Sequence, residues 1–508
     1  MEATASSYDY IVVGAGTAGC VLASRLSERA NARVLLLEAG AGEPLDAMAV
    51  PRAWPSLLGS TADWADISVV QAATGTAIPM PRGRCLGGSS SINALNFLRG
   101  HRSSYDAWPG LGAAGWGFGD LLPFFRRSET APGRDPAVRG VDGPLTVTPV
   151  VVSNPLVEAC VEAAVESGHR RATDINSGLE TGFGWSDGNI VDGARQSAAD
   201  AYLGPVAGRP NLDIVTDARV GRLRVSGDRC TGVEYRKAGT TVSASCTEEV
   251  VLTAGAIGTP QLLLLSGIGP AAQLRQAGVE VALDLPGVGN GLRDHPMSTV
   301  TYSAGQPVPG IVDNLMGEAL GLVKTDPALD TPDVQILFIS VPYRAVTLPG
   351  PDSGYTIAFS AMNPRSRGSV RLASADAGVP PLVDPNYLGD DADFGTMTTG
   401  LRIAREIGRS AALSSWRGKE ALPGPGVRSA DDDSVRAYLR ESLLPYFHYT
   451  STCRIGTDAT AVVDTDLRVR GIGGLRVADA SVMPSLVSAN TNATVYAIAE
   501  RAAALIAA

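Results

Sequence analysis

Residues 8–38 read YDYIVVGAGTAGCVLASRLSERANARVLLLE. An apolar run, a glycine cluster, an amphipathic stretch and a second apolar run, in that order, define a nucleotide-binding βαβ unit. Tyr8, Ile11, Val12 and Val13 form a strand that runs into Gly14, Gly16 and Gly19. Each glycine has its own physical reason. Gly14 permits a tight turn, Gly16 lets backbone N–H groups approach a pyrophosphate, and Gly19 lets the following helix pack close to its strand. The phosphates would then sit on a helix N-terminus. Leu22 and Leu26 share one helical face, residues 34–37 suit a buried parallel strand, and Glu38 ends that strand where a ribose hydroxyl needs an acceptor. A GxGxxG motif alone is weak, since any glycine-rich turn can carry it; the flanking strand, helix, second strand and terminal acid make it specific.

Working outward, the chain of 508 residues exceeds what one core usually serves, so two domains, sequential or interleaved, are expected. Apolar residues make up 44% and charged residues 19%, with 58 glycines and 33 prolines, which describes a loop-rich globular α/β protein. A net charge of −10 argues against nucleic acid or an anionic membrane surface as partner and leaves a small ligand. The six cysteines have neither metal-ligand nor CxxC spacing, so they read as reduced, mostly buried thiols, and no metal site is expected. The first strand begins by about Tyr8 without a signal-like leader, and no apolar run reaches membrane-spanning length; the expected location is cytoplasmic.

Residues 81–100 read PRGRCLGGSSSINALNFLRG. Gly87 and Gly88 remove side chains where a flat ligand would touch the main chain, with Ser89, Ser90 and Asn93 as short polar groups beside it. The same residues suit a serine-rich turn capping a helix, and the stretch alone does not choose. The order of further motifs does. GRCLGGSSSIN, TAGAIGTPQLLLLSGIGP at 253–270, LPGVGNGLRDHP at 285–296, FHYTSTCRIG at 447–456 and VADASVMPSLVSANTNATVYAIAER at 477–501 follow the dinucleotide unit in turn. Over nearly its whole length the chain resembles the glucose-methanol-choline (GMC) family of FAD-dependent oxidoreductases.

That resemblance implies an α/β fold, a Rossmann-like FAD-binding domain interleaved with an α+β substrate domain built on an antiparallel sheet. The FAD-binding parts would be 1–150, 206–300 and 456–508, and the substrate parts 151–205 and 301–455. GARQSAADAYLGP at 193–205 resembles the segment that returns the chain to the flavin domain. By resemblance FAD is held by Gly14, Gly16, Thr17, Ala18, Gly19, Glu38, Ala39, Arg84, Gly87, Gly88, Ser89, Asn93, Ala94, Val220, Asp479, Ala480, Asn490 and Thr491. It would be bound non-covalently, because Ile92 stands where family members that tether the flavin carry histidine. Strands are expected at 212–216, 220–225, 249–254, 332–341 and 367–374, and a helix at 155–168.

Of four histidines, His101 and His169 lie in polar loops and His295 in the DHP of a flavin-domain motif, so each reads as a surface or structural residue. His448 matches the family's active-site histidine. A flavin oxidises an alcohol by taking the α-carbon hydride at N5, and this becomes easy only as the hydroxyl proton leaves to a base such as imidazole. By resemblance the second polar group, holding the developing alkoxide, is Asn490. Asn490 also suits a helix N-cap, since residues 490–492 precede an apolar-periodic helix whose N-terminus the family aims at the flavin. After the histidine the family usually has proline, an apolar residue and glycine; here Tyr449, Thr450 and Ser451 stand, and Tyr449 is expected to reshape the pocket.

The function expected is oxidation of a small-molecule alcohol to an aldehyde or ketone, with oxygen or an artificial or quinone compound as electron acceptor. The stretch 295–332 reads as a short cap that would leave the flavin open to oxygen. A hydroxynitrile-lyase-type flavoprotein without net redox chemistry, a non-catalytic flavin-binding protein and, remotely, a photodecarboxylase are the alternatives. No acidic or strongly apolar recognition set stands out in the sequence, so the alcohol is not named.

Overall fold

A computed structural model of the chain describes residues 6–149, 154–310 and 314–507. Residues 151–153 of the first substrate segment and 311–313 of the expected cap lie outside the described residues.

Strand β1 (Ser6–Val13) leads through Gly14 into helix α1 (Thr17–Leu26) and strand β2 (Val34–Leu37). All four residues of β2 are buried, as are Ile11, Val12 and Val13, which is the pattern of parallel strands covered on both faces. Helix α2 (Pro155–Glu166) and strand β3 (Gly182–Trp185) follow. The chain then returns to the first sheet with β4 (Leu212–Val215), β5 (Arg219–Ser226), β6 (Arg229–Lys237) and β7 (Thr240–Leu252). β7 starts nine residues before the strand expected at 249. Its polar first half, TTVSAS, pairs antiparallel with β6, and from Ala244 onward the strand lies parallel beside β1. The hydrophobic pattern marks the second half alone.

After helix α3 (Gly255–Leu265) come β8 (Pro296–Ala304), β9 (Ala319–Val323), β10 (Val334–Ile339) and β11 (Gly354–Ala361). Helix α4 (Asp391–Arg409), strand β12 (Arg417–Leu422) and helix α5 (Asp432–Glu441) complete this region. Strand β13 (Leu475–Val477) and helix α6 (Asn492–Ala507) close the chain on the first sheet.

Two seven-stranded sheets result. The first has the order β4-β2-β1-β7-β6-β5, with β13 also on β7, and the second β12-β8-β11-β10-β9-β3, with a short strand at Leu444–Pro445 on β8. The second is antiparallel throughout. Strand alternation divides its side chains between two cores. Ile336, Phe338, Val300, Ile357 and Phe359 pack in the core that contains α4, while Leu337, Ile339, Met297, Leu320, Leu322 and Ala358 cluster on the opposite face. α6 packs along α1, and Arg25 of α1 reaches Glu500 of α6 at 2.8 Å. All six cysteines are unpaired, and among the described residues no helix is long and apolar enough to cross a membrane.

Candidate active site

One deep cavity runs from the Gly14 turn to the face of the second sheet. At its nucleotide end the three glycines separate by role. Gly14 has φ +101°, and an added Cβ would stand 2.8 Å from the Thr253 carbonyl oxygen. A Cβ at Gly19 would overlap the Gly14 carbonyl oxygen, which is the close helix–strand approach in physical form. Gly16 is different: an added Cβ meets nothing nearer than the Thr253 oxygen at 3.9 Å, so the space before it is free for a ligand. Gly16 is the N-cap of α1, with no side-chain cap and no acid in the first turn, so the helix presents its amides and partial positive charge to an anion. The pyrophosphate of FAD fits this cradle. Glu38 lines the cavity and accepts from the Ala15 and Gly40 amides, both at 2.8 Å; each carboxylate oxygen keeps a second lone pair for a ribose hydroxyl.

Of the residues expected to hold FAD, Gly14, Gly16, Thr17, Ala18, Glu38, Ala39, Gly88, Ser89, Asn93, Ala94, Val220, Asp479, Ala480, Asn490 and Thr491 line the cavity. Gly19, Arg84 and Gly87 do not. Gly19 acts in packing, and Gly87, at φ +83°, forms the turn that brings Gly88 against Gly16. The Arg84 guanidinium lies over the Trp64 ring at 5.2 Å, and Arg82 stands on the cavity wall in its place, 2.5 Å from Asp66. Arg195, a residue the sequence reading did not single out, binds the serine-rich loop: it donates to the Ser90 and Asn93 carbonyls and to Asn93 Oδ1. Its place in GARQSAADAYLGP is the signal that could have found it. Asp479 accepts from the Gly255 amide at 2.8 Å and the Thr259 hydroxyl at 2.6 Å, joining α3 to the C-terminal segment.

At the other end His448 and Asn490 line the same cavity. Asn490 is not the N-cap. α6 begins at Asn492, whose Oδ1 accepts from Thr17 Oγ1 at 2.8 Å, and the Val495 amide closes the first turn on the Thr491 carbonyl. Asn490 Oδ1 is buried with no partner among the described residues, which suits an amide waiting for a ligand.

His295 overturns the reading of it as a surface or merely structural residue. It is fully buried, and its Nδ1 lies 2.8 Å from His448 Nδ1. Its Nε2 is 3.2 Å from the Met362 carbonyl oxygen. A carbonyl only accepts, so His295 carries its proton on Nε2 and offers a lone pair at Nδ1. His448 must then donate from Nδ1, which leaves its Nε2 as the basic atom. Burial, and then the neighbouring His295, hold the His448 pKa well below the ordinary histidine value. Asp294 sets the geometry from beneath: its Oδ1 accepts from the backbone amides of His448 at 2.6 Å and His295 at 2.8 Å, and its Oδ2 from the Tyr387 hydroxyl at 2.5 Å. Sequence offered one cue for this, an ionisable pair in DHP within a chain of only four histidines.

Two residues in the left-handed region bracket His448, Phe447 at φ +64° and Ser451 at φ +74°. The family's glycine at the second position is explained by that backbone, and this chain places serine there at a steric cost. Tyr449 lines the cavity with a buried hydroxyl that has no partner among the described residues. The Tyr446 ring lies 4.4 Å from the His448 ring, with its hydroxyl donating to Gln335 at 2.5 Å.

Known proteins match this arrangement closely. Two models described as GMC oxidoreductase, for the N- and C-terminal parts, match residues 8–297 and 364–499. Mitochondrial choline dehydrogenase of Homo sapiens is 38% identical, covering 98% of this chain and 89% of that protein. Alcohol dehydrogenase (acceptor) of Pseudomonas putida is 37% identical, covering 98% and 95%. Among solved structures, pyridoxine 4-oxidase from Mesorbium loti superposes with a TM-score of 0.94 at 36% identity, covering 98% of each chain. The cytoplasmic placement expected from the sequence gains no support, since the human relative is named mitochondrial.

Proposed function

The chain belongs to the GMC oxidoreductase family, FAD-dependent oxidoreductases of CH–OH donors, and from that premise we propose that it oxidises an alcohol to an aldehyde or ketone with His448 as base. The observation that carries this reading is the His448–His295–Met362 chain, which leaves His448 Nε2 basic at the cavity. FAD, when bound, supplies the acceptor for the hydride that leaves the carbinol carbon.

The protein's own groups do the rest. His448 Nε2 takes the hydroxyl proton while its Nδ1–H stays on His295, so the imidazolium that forms is held by a neutral acceptor. Asn490 donates from its amide Nδ2–H to the same oxygen and stabilises the developing alkoxide. Asp294 keeps the two histidine backbones in register. The α1 N-terminus and Glu38 hold the dinucleotide, and Ile92 on the cavity wall, among described lining residues that include no cysteine and no histidine but His448, supports non-covalent FAD.

The relatives' names are those of oxidoreductases and lend nothing to the lyase or non-catalytic alternatives. Anaerobic mixing of the purified holoprotein with a panel of alcohols tests the proposal: bleaching of the flavin band by at least one alcohol supports it, and a flavin that none reduces rejects it. Admitting oxygen or a quinone dye afterwards distinguishes oxidase from dehydrogenase. The expected short cap favours oxygen.

A further inference from the structure

The alternation of β8 and β10 sends Met297, Leu337 and Ile339 to the face that meets the nucleotide-binding half, and these side chains line the cavity. With Met316, Tyr343 and Trp54 they form the wall beyond His448 and Asn490. The Trp54 and Tyr343 rings lie 6.3 Å apart at 50°. This wall is apolar and aromatic, and it carries no charge.

The nearest acids do not alter that. Among the described residues Glu38 and Asp479 are the carboxylates on the cavity surface, and both are tied to backbone amides. Glu318 adjoins Gly317 but does not line the cavity. It accepts from Asn154 Nδ2 and faces the Arg52 guanidinium at 3.9 Å, so its charge is already matched, and burial raises its carboxyl to about 7.

We propose, building on the alcohol-oxidising reading above, that the substrate is an uncharged aryl carbinol, a hydroxymethyl group on an aromatic or heteroaromatic ring. A flat ring fills the space between the Trp54–Tyr343 pair and the thioethers of Met297 and Met316, which adapt to aromatic edges. A quaternary ammonium alcohol would leave water with no counter-charge on this wall. Aromatic faces do attract cations, and Tyr446, Phe447 and Tyr449 add rings to the cavity beside the Trp54–Tyr343 pair, but among the described residues no carboxylate stands on this wall to complete a cage. A sugar would set most of its hydroxyls against methionine, leucine and isoleucine, where the unpartnered Trp54 indole N–H and Tyr449 hydroxyl are too few to pair them. The hydroxymethyl end then lies at His448 Nε2, where the proton leaves.

The test is anaerobic stopped-flow bleaching of the holoprotein by benzyl alcohol, 1-hexanol, choline and glucose, together with calorimetric titration by two non-oxidisable analogues, benzamide and glycine betaine. Benzyl alcohol should give the highest second-order rate constant, with choline and glucose at least about 100-fold lower, the scale on which a pocket rejects a group it leaves unpaired. Benzamide should bind and betaine should not. Ile339→Asp, which puts a carboxylate into the wall, should narrow the gap between choline and benzyl alcohol by about tenfold. Choline, glucose or 1-hexanol reacting as fast as benzyl alcohol, or betaine binding more tightly than benzamide, overturns the proposal and leaves alcohol oxidation standing. If no alcohol bleaches the flavin, the alcohol-oxidising reading itself has failed, and the substrate proposal falls with it whatever the calorimetry shows.

Discussion

His295 and His448 meet Nδ1 to Nδ1 at 2.8 Å with their rings at 84°. Two imidazoles can share such a contact only if one donates and the other accepts. The Met362 carbonyl decides which, by fixing the proton of His295 on its far nitrogen. The tautomer of His448 is therefore set by a backbone carbonyl one residue further out than the pair itself.

His448→Ala should retain FAD and lose flavin reduction by about 10²- to 10⁴-fold, the range for a positioned base. Asn490→Ala should lose less, about 10²-fold, since it removes one hydrogen-bond partner of the alkoxide. Transient measurement of the anaerobic reductive half-reaction separates this step from reoxidation. Parent-rate reduction in His448→Ala would remove the assignment.

Replacement of His295 by alanine frees the His448 tautomer. A loss of about 10- to 100-fold in reduction is expected, corresponding to roughly 1–3 kcal/mol for an orphaned buried donor. The pH profile gives the sharper reading. The base is needed neutral, and its pKa lies well below 6.5, so reduction in the parent should be flat at and above neutral pH and fall only on the acid side of 6.5. Without the neighbouring imidazole, the second cause of the depression after burial, the acid limb in His295→Ala should move upward. An unmoved limb would make His295 structural only.

Gly16→Val should yield a folded protein without FAD. The added Cβ meets only an oxygen at 3.9 Å within the protein, while the space beyond it is where the pyrophosphate fits. Visible absorbance reports flavin content, and thermal melting compared with the parent's apoprotein reports the fold. Full flavin content would misplace the phosphates.

Acid precipitation should release the FAD into the supernatant, because Ile92 lines the cavity where a tethering histidine would stand. Yellow colour retained in the pellet would show a covalent bond.

Ser451→Gly should stabilise the protein by about 1 kcal/mol, the cost of holding a side chain at positive φ. The loss of the 3.1 Å contact between the Ser451 and Thr450 hydroxyls works against this. Chemical denaturation of the apoprotein measures the balance, and a destabilised variant would show that the hydroxyl pair outweighs the backbone strain.

Much of this protein is written in local sequence. Periodicity and turn chemistry act over a few residues, so the βαβ unit at 8–38 and the glycine turns were legible without a structure. So was His448, through its motif. Local pattern could not show the first half of β7, because a polar segment has no hydrophobic signature and its first four residues are held by their partner β6 alone. Nor could it show that Arg82, not Arg84, faces the cavity, or that Arg195 clamps a loop about a hundred residues away in sequence. The active site belongs to tertiary structure for the same reason. His295 and His448 are 153 residues apart, and Met362 lies between them in sequence on neither side's motif. Hydrogen bonds fix a tautomer through distance and direction in space, and an apolar wall such as that of Met297, Leu337 and Ile339 exists only once strand alternation has turned those side chains to one face.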